Sequence, residues 1–226
     1  MAGYHSRKPP PGQRIPMTEI LELHPKNPQV RLVRRAVDAV RAGSVIVYPT
    51  DSCYALGCAI GDKGAMERIA HIRQTDKHHH FTLVCRDLSE IARYARVENW
   101  QYRLLKAATP GPYTFILEAT REVPRRLQNP KRRTIGIRIP DHPVPLLLLA
   151  ELGEPLMSST LHLPGDPYPL TNAKEIYARL HHQVAVVLDG GNCGLNPTTV
   201  VDLASGAPSI VRLGKGDPAR LGATVS

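Results

Sequence analysis

Cysteine is scarce in this chain, which excludes two classes of small protein. The four cysteines are Cys53, Cys58, Cys85 and Cys193, and no two of them form a CxxC pair. So few cysteines in 226 residues do not build a disulfide framework. Their spacing also lacks the ligand pattern of a zinc site, so the sequence predicts no metal site. The simplest expectation is a protein of the reducing cytoplasm.

Long apolar runs are missing as well. The longest, residues 144–150, is far too short to span a bilayer, which predicts a protein without a membrane segment. Residues 1–16 carry three basic side chains and four prolines but no apolar stretch, so they do not resemble a secretory signal. We expect them to form a mobile tail, with Met17 as an alternative first residue.

Aromatic residues make up only 5% of the chain, which argues against RNA-binding modules that stack bases on aromatic side chains. Positive charge, in contrast, is plentiful: 29 Lys and Arg stand against 20 Asp and Glu, for a net charge of +9. Such an excess favours polyanionic partners, nucleotides or RNA. Hydrophobic residues reach 42%, and the length fits one large domain with a proper core.

Helical and strand-like periodicities alternate along the chain. Asn27 and Pro28 predict an N-cap and first helical turn, followed by a valine face from Val30 to Val40 and a stop at Gly43. Further helices are predicted after Asp62 and at 90–95, 100–107, 143–152 and 173–182, and strands at 45–48, 82–85, 113–119, 134–139, 156–160, 184–188, 199–203 and 210–213. This mixture without strict βαβ alternation predicts an α/β fold with a twisted mixed β-sheet flanked by helices. We expect one domain at 17–215 and a loose C-terminal tail at 216–226.

A cluster of hydroxyl side chains follows the strand that ends at Pro49. Thr50, Ser52 and Tyr54 stand at its carboxyl end, where open α/β sheets place ligands. The alternative is a turn in which Asp51 and Ser52 bond their own backbone. Taken alone, the segment slightly favours the turn.

Cations gather near the end of the second helix. Arg73 offers planar bidentate contacts to phosphate and Lys77 a point charge, and a charged surface turn explains both equally well. The three histidines at 78–80 are more typical of a solvated loop than of a metal site, because consecutive side chains point in different directions.

Residues 109–114 read TPGPYT and place a rigid turn directly before a strand. Gly111 in that turn would permit close approach of a ligand. Ordinary turn chemistry explains the segment equally well.

The densest basic patch precedes the strand at 134–139, and it is the best candidate for an RNA contact in so basic a chain. A solvated loop is the usual alternative. Arg138, on that strand, alternates with Ile137 and Ile139 and therefore leaves the sheet on the opposite face. The patch consists of Arg125, Arg126, Lys131, Arg132 and Arg133.

Hydroxyls also end the strand at 156–160, in the segment MSSTLHLPG. No GxSxG elbow occurs there or elsewhere, so a hydrolase triad is not supported. A Walker A loop and a GxGxxG fingerprint are absent too. A bound nucleotide would therefore use none of the commonest cradles.

Taken in order, these segments resemble the YrdC/TsaC family, whose members make threonylcarbamoyl-AMP for tRNA modification, and most of all its YciO branch. The resemblance covers roughly residues 17–215 in one order. The resembling segments are YPTDSCYALGC, FTLVCRDLSE, TPGPYTFILEAT, VPRRL, RRTIGIRIP, GEPLMSSTLHLPG and NPTTVVDL. It implies a single YrdC-like domain whose twisted sheet and helices enclose a basic concave cleft.

The resemblance also implies a reaction. ATP, L-threonine and bicarbonate, with Mg²⁺, would give threonylcarbamoyl-AMP and pyrophosphate, a chemistry that needs positioning and cations but no protein nucleophile. In this reading Arg73 and Lys77 are catalytic cations. The implied threonine and ATP contacts are Thr50, His71, Thr114, Arg138, Ser158, Thr160, His162, Thr198 and Arg212.

Two residues depart from the family pattern. His71 replaces the lysine of the KxR motif, and His162 replaces the asparagine of STSAN. A neutral imidazole supplies less charge to phosphate at pH 7 than lysine does, so weak or altered activity is expected, and His71→Lys should raise it. A non-catalytic relative that binds structured RNA or tRNA through its basic surface is the alternative.

Overall fold

A computed structural model describes residues 17–74, 81–221 and 224–225. Six helices and eleven strands form in these ranges. The helices are α1 (Val30–Arg41), α2 (Lys63–Arg73), α3 (Leu88–Tyr94), α4 (Asn99–Ala108), α5 (Pro143–Leu152) and α6 (Ala173–Leu180). The strands are β1 (Glu19–Glu22), β2 (Ile46–Tyr48), β3 (Ala55–Ala59), β4 (Thr82–Val84), β5 (Tyr113–Glu118), β6 (Thr134–Arg138), β7 (Leu156–Thr160), β8 (Val186–Asp189), β9 (Thr199–Asp202), β10 (Ser209–Arg212) and β11 (Thr224–Val225).

All the strands join one sheet, in the order β1-β8-β2-β3-β7-β4-β6-β5-β9-β10-β11. Parallel and antiparallel pairs alternate irregularly: β4 pairs with β6 in parallel, whereas β7 runs antiparallel to both of its neighbours, β3 and β4. The predicted α/β fold with a mixed sheet is confirmed.

The sheet carries a hydrophobic cluster on each face, because successive residues of a strand point to opposite sides. Val47 of β2 belongs to one cluster and Ile46 to the other. Buried residues of α1 and α5 fill one face, and those of α2, α3, α4 and α6 fill the other. The two faces therefore carry separate cores.

Several predicted helix and strand bounds are close to the observed ones. The helix at 143–152 and the strand at 156–160 are confirmed without a shift, and Gly153 ends α5 with φ +80°. The first helix, however, begins at Val30 with Gln29 as its N-cap, so the predicted cap at Asn27 is wrong, and Val30 itself is exposed. Strands β1 and β3 were not predicted.

The residues after Lys215 are packed rather than loose. Leu221 ends a short 3-10 helix and is buried in the larger core. Tyr113 Oη donates to the carbonyl oxygen of Asp217 over 3.0 Å. A Cβ at Gly216 would lie 2.4 Å from the Tyr113 ring, so only glycine fits there. The expected loose tail is therefore wrong for residues 216–221, and β11 pairs with β10 beyond it.

Within the described residues, no helix has the length and apolar character needed to cross a bilayer.

Candidate functional site

A cavity of about 830 Å³ opens where β5, β6, β7 and β10 meet two loops, at 167–169 and 195–198. Its volume lies in the range of small-molecule sites. The lining mixes cations and hydroxyls with apolar side chains: Arg73, Phe81, Thr82, Thr114, Ile116, Leu127, Asn129, Arg132, Thr134, Ile135, Gly136, Ser159, Thr160, His162, Pro167, Tyr168, Pro169, Leu195, Asn196, Pro197, Thr198, Val200, Val211 and Arg212. Six of the residues predicted for catalysis or for threonine and ATP binding are among them: Arg73, Thr114, Thr160, His162, Thr198 and Arg212.

Two guanidinium groups, those of Arg73 and Arg212, line the cavity and form its cation pair. Burial and then the charge of Arg212 lower the pKa of Arg73, and burial lowers the pKa of Arg212. Arg73 Nη1 donates to Ser159 Oγ over 2.6 Å, and Arg212 Nη2 donates to the carbonyl oxygen of Thr198 over 2.9 Å. Both groups remain cations at neutral pH. Because like charges repel, an anion between them would be stabilised.

The hydroxyls of Thr114 and Thr198 form a pair inside the cavity, with 2.8 Å between their Oγ1 atoms. The pleat of β5 turns Tyr113 and Phe115 into the core and Thr114 to the other side. Thr198 comes directly before β9, the parallel neighbour of β5. Two strands thus bring together hydroxyls that lie 84 positions apart in the chain.

His162 has a structural partner as well as a place in the cavity. Its Nε2 lies 2.8 Å from the carbonyl oxygen of Asp166, and since a carbonyl only accepts, Nε2 carries the proton. The Asp166 carboxylate in turn pairs with Arg179 over 2.7 Å. The residue that replaces the family's asparagine therefore anchors the loop at 163–169.

Thr50 does not line the cavity. It is buried, and its hydroxyl holds the turn after β2 by donating to the carbonyl oxygen of Cys53 over 2.7 Å and accepting from the backbone N–H of Ser52 over 3.1 Å. A turn is therefore present, but Thr50 supplies its local bonds in place of Asp51 and Ser52. Burial raises the pKa of Cys53 to about 11, so its thiol is not an activated nucleophile.

Arg138 and Ser158 also lie outside the cavity. Arg138 is buried in an ion pair with Asp51, and its Nη1 donates to Ser52 Oγ over 3.3 Å. Ser158 Oγ lies 2.6 Å from Tyr48 Oη, and Ser159, one position along β7, faces the cavity instead. Thr50, Arg138 and Ser158 thus have bonds within the protein and do not line the cavity, and their substrate contacts stay predictions.

Three further predictions concern α2 and the TPGPYT turn. His71 is exposed on α2 and does not line the cavity, and Lys77 lies outside the described residues. Gly111 does allow a close approach, but to the chain itself: a Cβ there would lie 2.6 Å from the Ala108 carbonyl oxygen. The ligand contact at Gly111 stays a prediction.

All five residues of the basic patch are exposed, but two of them have intramolecular partners. Arg132 lines the cavity and pairs with Asp202 over 2.6 Å, and Arg126 bonds the carbonyl oxygen of Gly61. Arg132 therefore belongs to the cavity wall. For all five residues, the RNA contact stays a prediction.

The sequence did not single out some of the lining residues. Ser159 stands between Ser158 and Thr160 in a run of hydroxyls, and no local feature distinguishes it from them. Tyr168, Leu195 and Val211 carry no local signal, since isolated apolar residues in loops are common. Their shared location follows from the fold alone.

A family model named Sua5/YciO/YrdC and described as "Telomere recombination" matches residues 38–214. The chain belongs to this family, which includes threonylcarbamoyl-AMP synthases.

Relatives of two kinds are similar to this chain. YciO of Escherichia coli K12 is 54% identical over 201 residues, which cover 89% of this chain and 98% of YciO. Its crystal structure covers 91% of this chain with a TM-score of 0.87. A threonylcarbamoyl-AMP synthase of Vibrio cholerae is 31% identical over 180 residues, covering 78% of this chain and 95% of the synthase.

Sua5 of Pyrococcus abyssi, in complex with L-threonine, shares the fold, with a TM-score of 0.80 at 24% identity. It covers 87% of this chain, which spans 58% of that protein.

Proposed function

We propose that this protein binds ATP and L-threonine in the cavity and forms threonylcarbamoyl-AMP, the adenylate used for threonylcarbamoyladenosine in tRNA. The observation that carries the proposal is that two cations, Arg73 and Arg212, line one cavity together with the Thr114–Thr198 hydroxyl pair. The similarity to a synthase at 31% identity supports it, as does the L-threonine complex of the P. abyssi relative. Such a role belongs in the cytoplasm.

The reaction requires cations that neutralise the phosphates and groups that orient the substrates, and it requires no nucleophilic side chain. The threonine amine combines with bicarbonate to form a carbamate with loss of water. One carbamate oxygen then attacks the α-phosphorus, and the bond to the bridging oxygen breaks to release pyrophosphate. Arg73 and Arg212 would neutralise charge on the phosphates, and the hydroxyls of Thr114 and Thr198 would orient them.

Mg²⁺ would enter with ATP as the phosphate chelate. Among the described residues, no group of three His, Cys, Asp or Glu side chains is arranged to hold a metal ion. Phosphate oxygens and water would therefore supply most of its ligands, as is common for Mg²⁺ with nucleotides. The role of this chain is then to hold the phosphates, through Arg73 and Arg212.

Pyrophosphate release from ATP tests the proposal when threonine and bicarbonate are each omitted in turn. Release should require both, and Arg212→Met should lower kcat/KM by about 100-fold or more, the scale for losing one preorganised charge in a site. Arg31→Met is the matched control, because Arg31 is exposed on α1 and does not line the cavity. Release without threonine, or no release above the blank, would overturn the synthase assignment.

A further inference from the structure

The mouth of the cavity carries an exposed apolar surface made by Tyr168, Leu195 and Val211. Seven large hydrophobic residues are exposed among the described residues, and three of them line this one cavity. Tyr168 is 63% exposed, and none of the hydrogen bonds resolved for the described residues involves it. Scattered exposed apolar residues need no explanation, but a group around one opening marks a binding surface.

The backbone around Tyr168 is held in place. Tyr168 stands between Pro167 and Pro169, which fix their own φ angles and restrict the residue before each of them. The loop is further anchored by Asp166, whose carbonyl oxygen accepts from His162 and whose carboxylate pairs with Arg179. The Tyr168 ring therefore lies on a restrained segment, which loses little conformational entropy when a ligand packs against the ring.

A bulge in β10 completes this surface. Ile210 pairs with Val201 and Arg212 pairs with Val200, so Val211 is an extra residue in the ladder. A β-bulge changes the direction in which the side chains at and beside it point. Here Val211 and its neighbour Arg212 both line the cavity, although a regular strand would turn them to opposite faces. The apolar surface therefore adjoins the cation pair.

A ligand that contacts both the cation pair and the apolar surface needs an anionic group and a flat apolar group. We propose that Tyr168 stacks on the adenine ring of ATP, with Leu195 and Val211 as the apolar surroundings and Arg73 and Arg212 at the phosphates. This inference rests on the proposed function and adds a residue that determines nucleotide affinity. Aromatic rings bind bases through their faces, and the phenol hydroxyl is not needed for that contact.

Calorimetric titration with ATP and with inorganic tripolyphosphate tests the assignment in four proteins: wild type, Tyr168→Ala, Tyr168→Phe and Tyr102→Ala. Tyr102 is an exposed tyrosine on α4 that does not line the cavity, which makes it the matched control. Tyr168→Ala should weaken ATP binding roughly 10-fold and leave tripolyphosphate binding unchanged. Tyr168→Phe and Tyr102→Ala should bind both ligands as the wild type does. Adenine hypochromism on binding should vanish only in Tyr168→Ala.

Unchanged ATP affinity in Tyr168→Ala overturns the stacking role alone. Equal losses of ATP and tripolyphosphate overturn it too, because they show that Tyr168 only supports the loop. A wild type that binds neither ligand overturns the proposed function together with this inference. ATP binding that depends on Tyr168, without pyrophosphate release, upholds the inference and overturns the synthase.

Discussion

Replacing Arg138 with methionine is expected to lower the free energy of unfolding by about 3–5 kcal/mol, the usual cost of removing one partner of a buried ion pair. The side chains of Arg138 and Asp51 are each only 9% exposed. Asp51 Oδ2 and Arg138 Nε have no hydrogen-bond partner among the described residues, so each charge depends strongly on the other. The methionine keeps most of the side-chain volume, which limits the cavity contribution.

Urea unfolding followed by circular dichroism measures this effect. The series needs Arg138→Met, Asp51→Asn and the double variant. If the pair itself provides the stability, the double variant loses at least about 2 kcal/mol less than the sum of the single losses. Arg93→Met is the control, because Arg93 and Glu122 are 65% and 54% exposed with 3.6 Å between Nη2 and Oε2, and it should cost less than about 1 kcal/mol.

Two outcomes would refute this reasoning. A loss for Arg138→Met no larger than that for Arg93→Met would mean that Arg138 is solvated rather than buried with Asp51. Strict additivity in the double variant would mean that the two side chains stabilise the fold through other contacts.

Two further predictions follow from the revised site and the revised C-terminus. His71→Lys should leave the rate of pyrophosphate release within about 2-fold of the wild type, because His71 is exposed and does not line the cavity. A 10-fold rise in that rate would instead support the substrate contact that the sequence alone predicted for His71. Leu221→Ala should lower the free energy of unfolding by about 2–4 kcal/mol in urea, because Leu221 is only 3% exposed within the core. A decrease in the free energy of unfolding below about 0.5 kcal/mol, which is typical of surface positions, would indicate that residues 216–221 form a loose tail after all.

Local sequence patterns were sufficient to predict an element whose first and last turns are defined by neighbouring residues. Pro143 at the first turn and Gly153 at the end define α5, and the predicted bounds are those of the structure. Strand β1 escaped prediction because EILE has no distinctive period and becomes a strand only by pairing with β8, more than 160 positions away. Strand β3 was hidden because its small residues, ALGCA, follow a turn and resemble part of it.

The sequence by itself determined the family, the mixed α/β fold and six of the cavity residues. These follow from motifs and periodicities that are complete within short windows. Only the tertiary structure decided that Arg138 pairs with Asp51, and that Tyr168, Leu195 and Val211 line one cavity. Asp51 and Arg138 are 87 positions apart. No local pattern encodes such a pairing, because it depends on which strands become neighbours in the sheet.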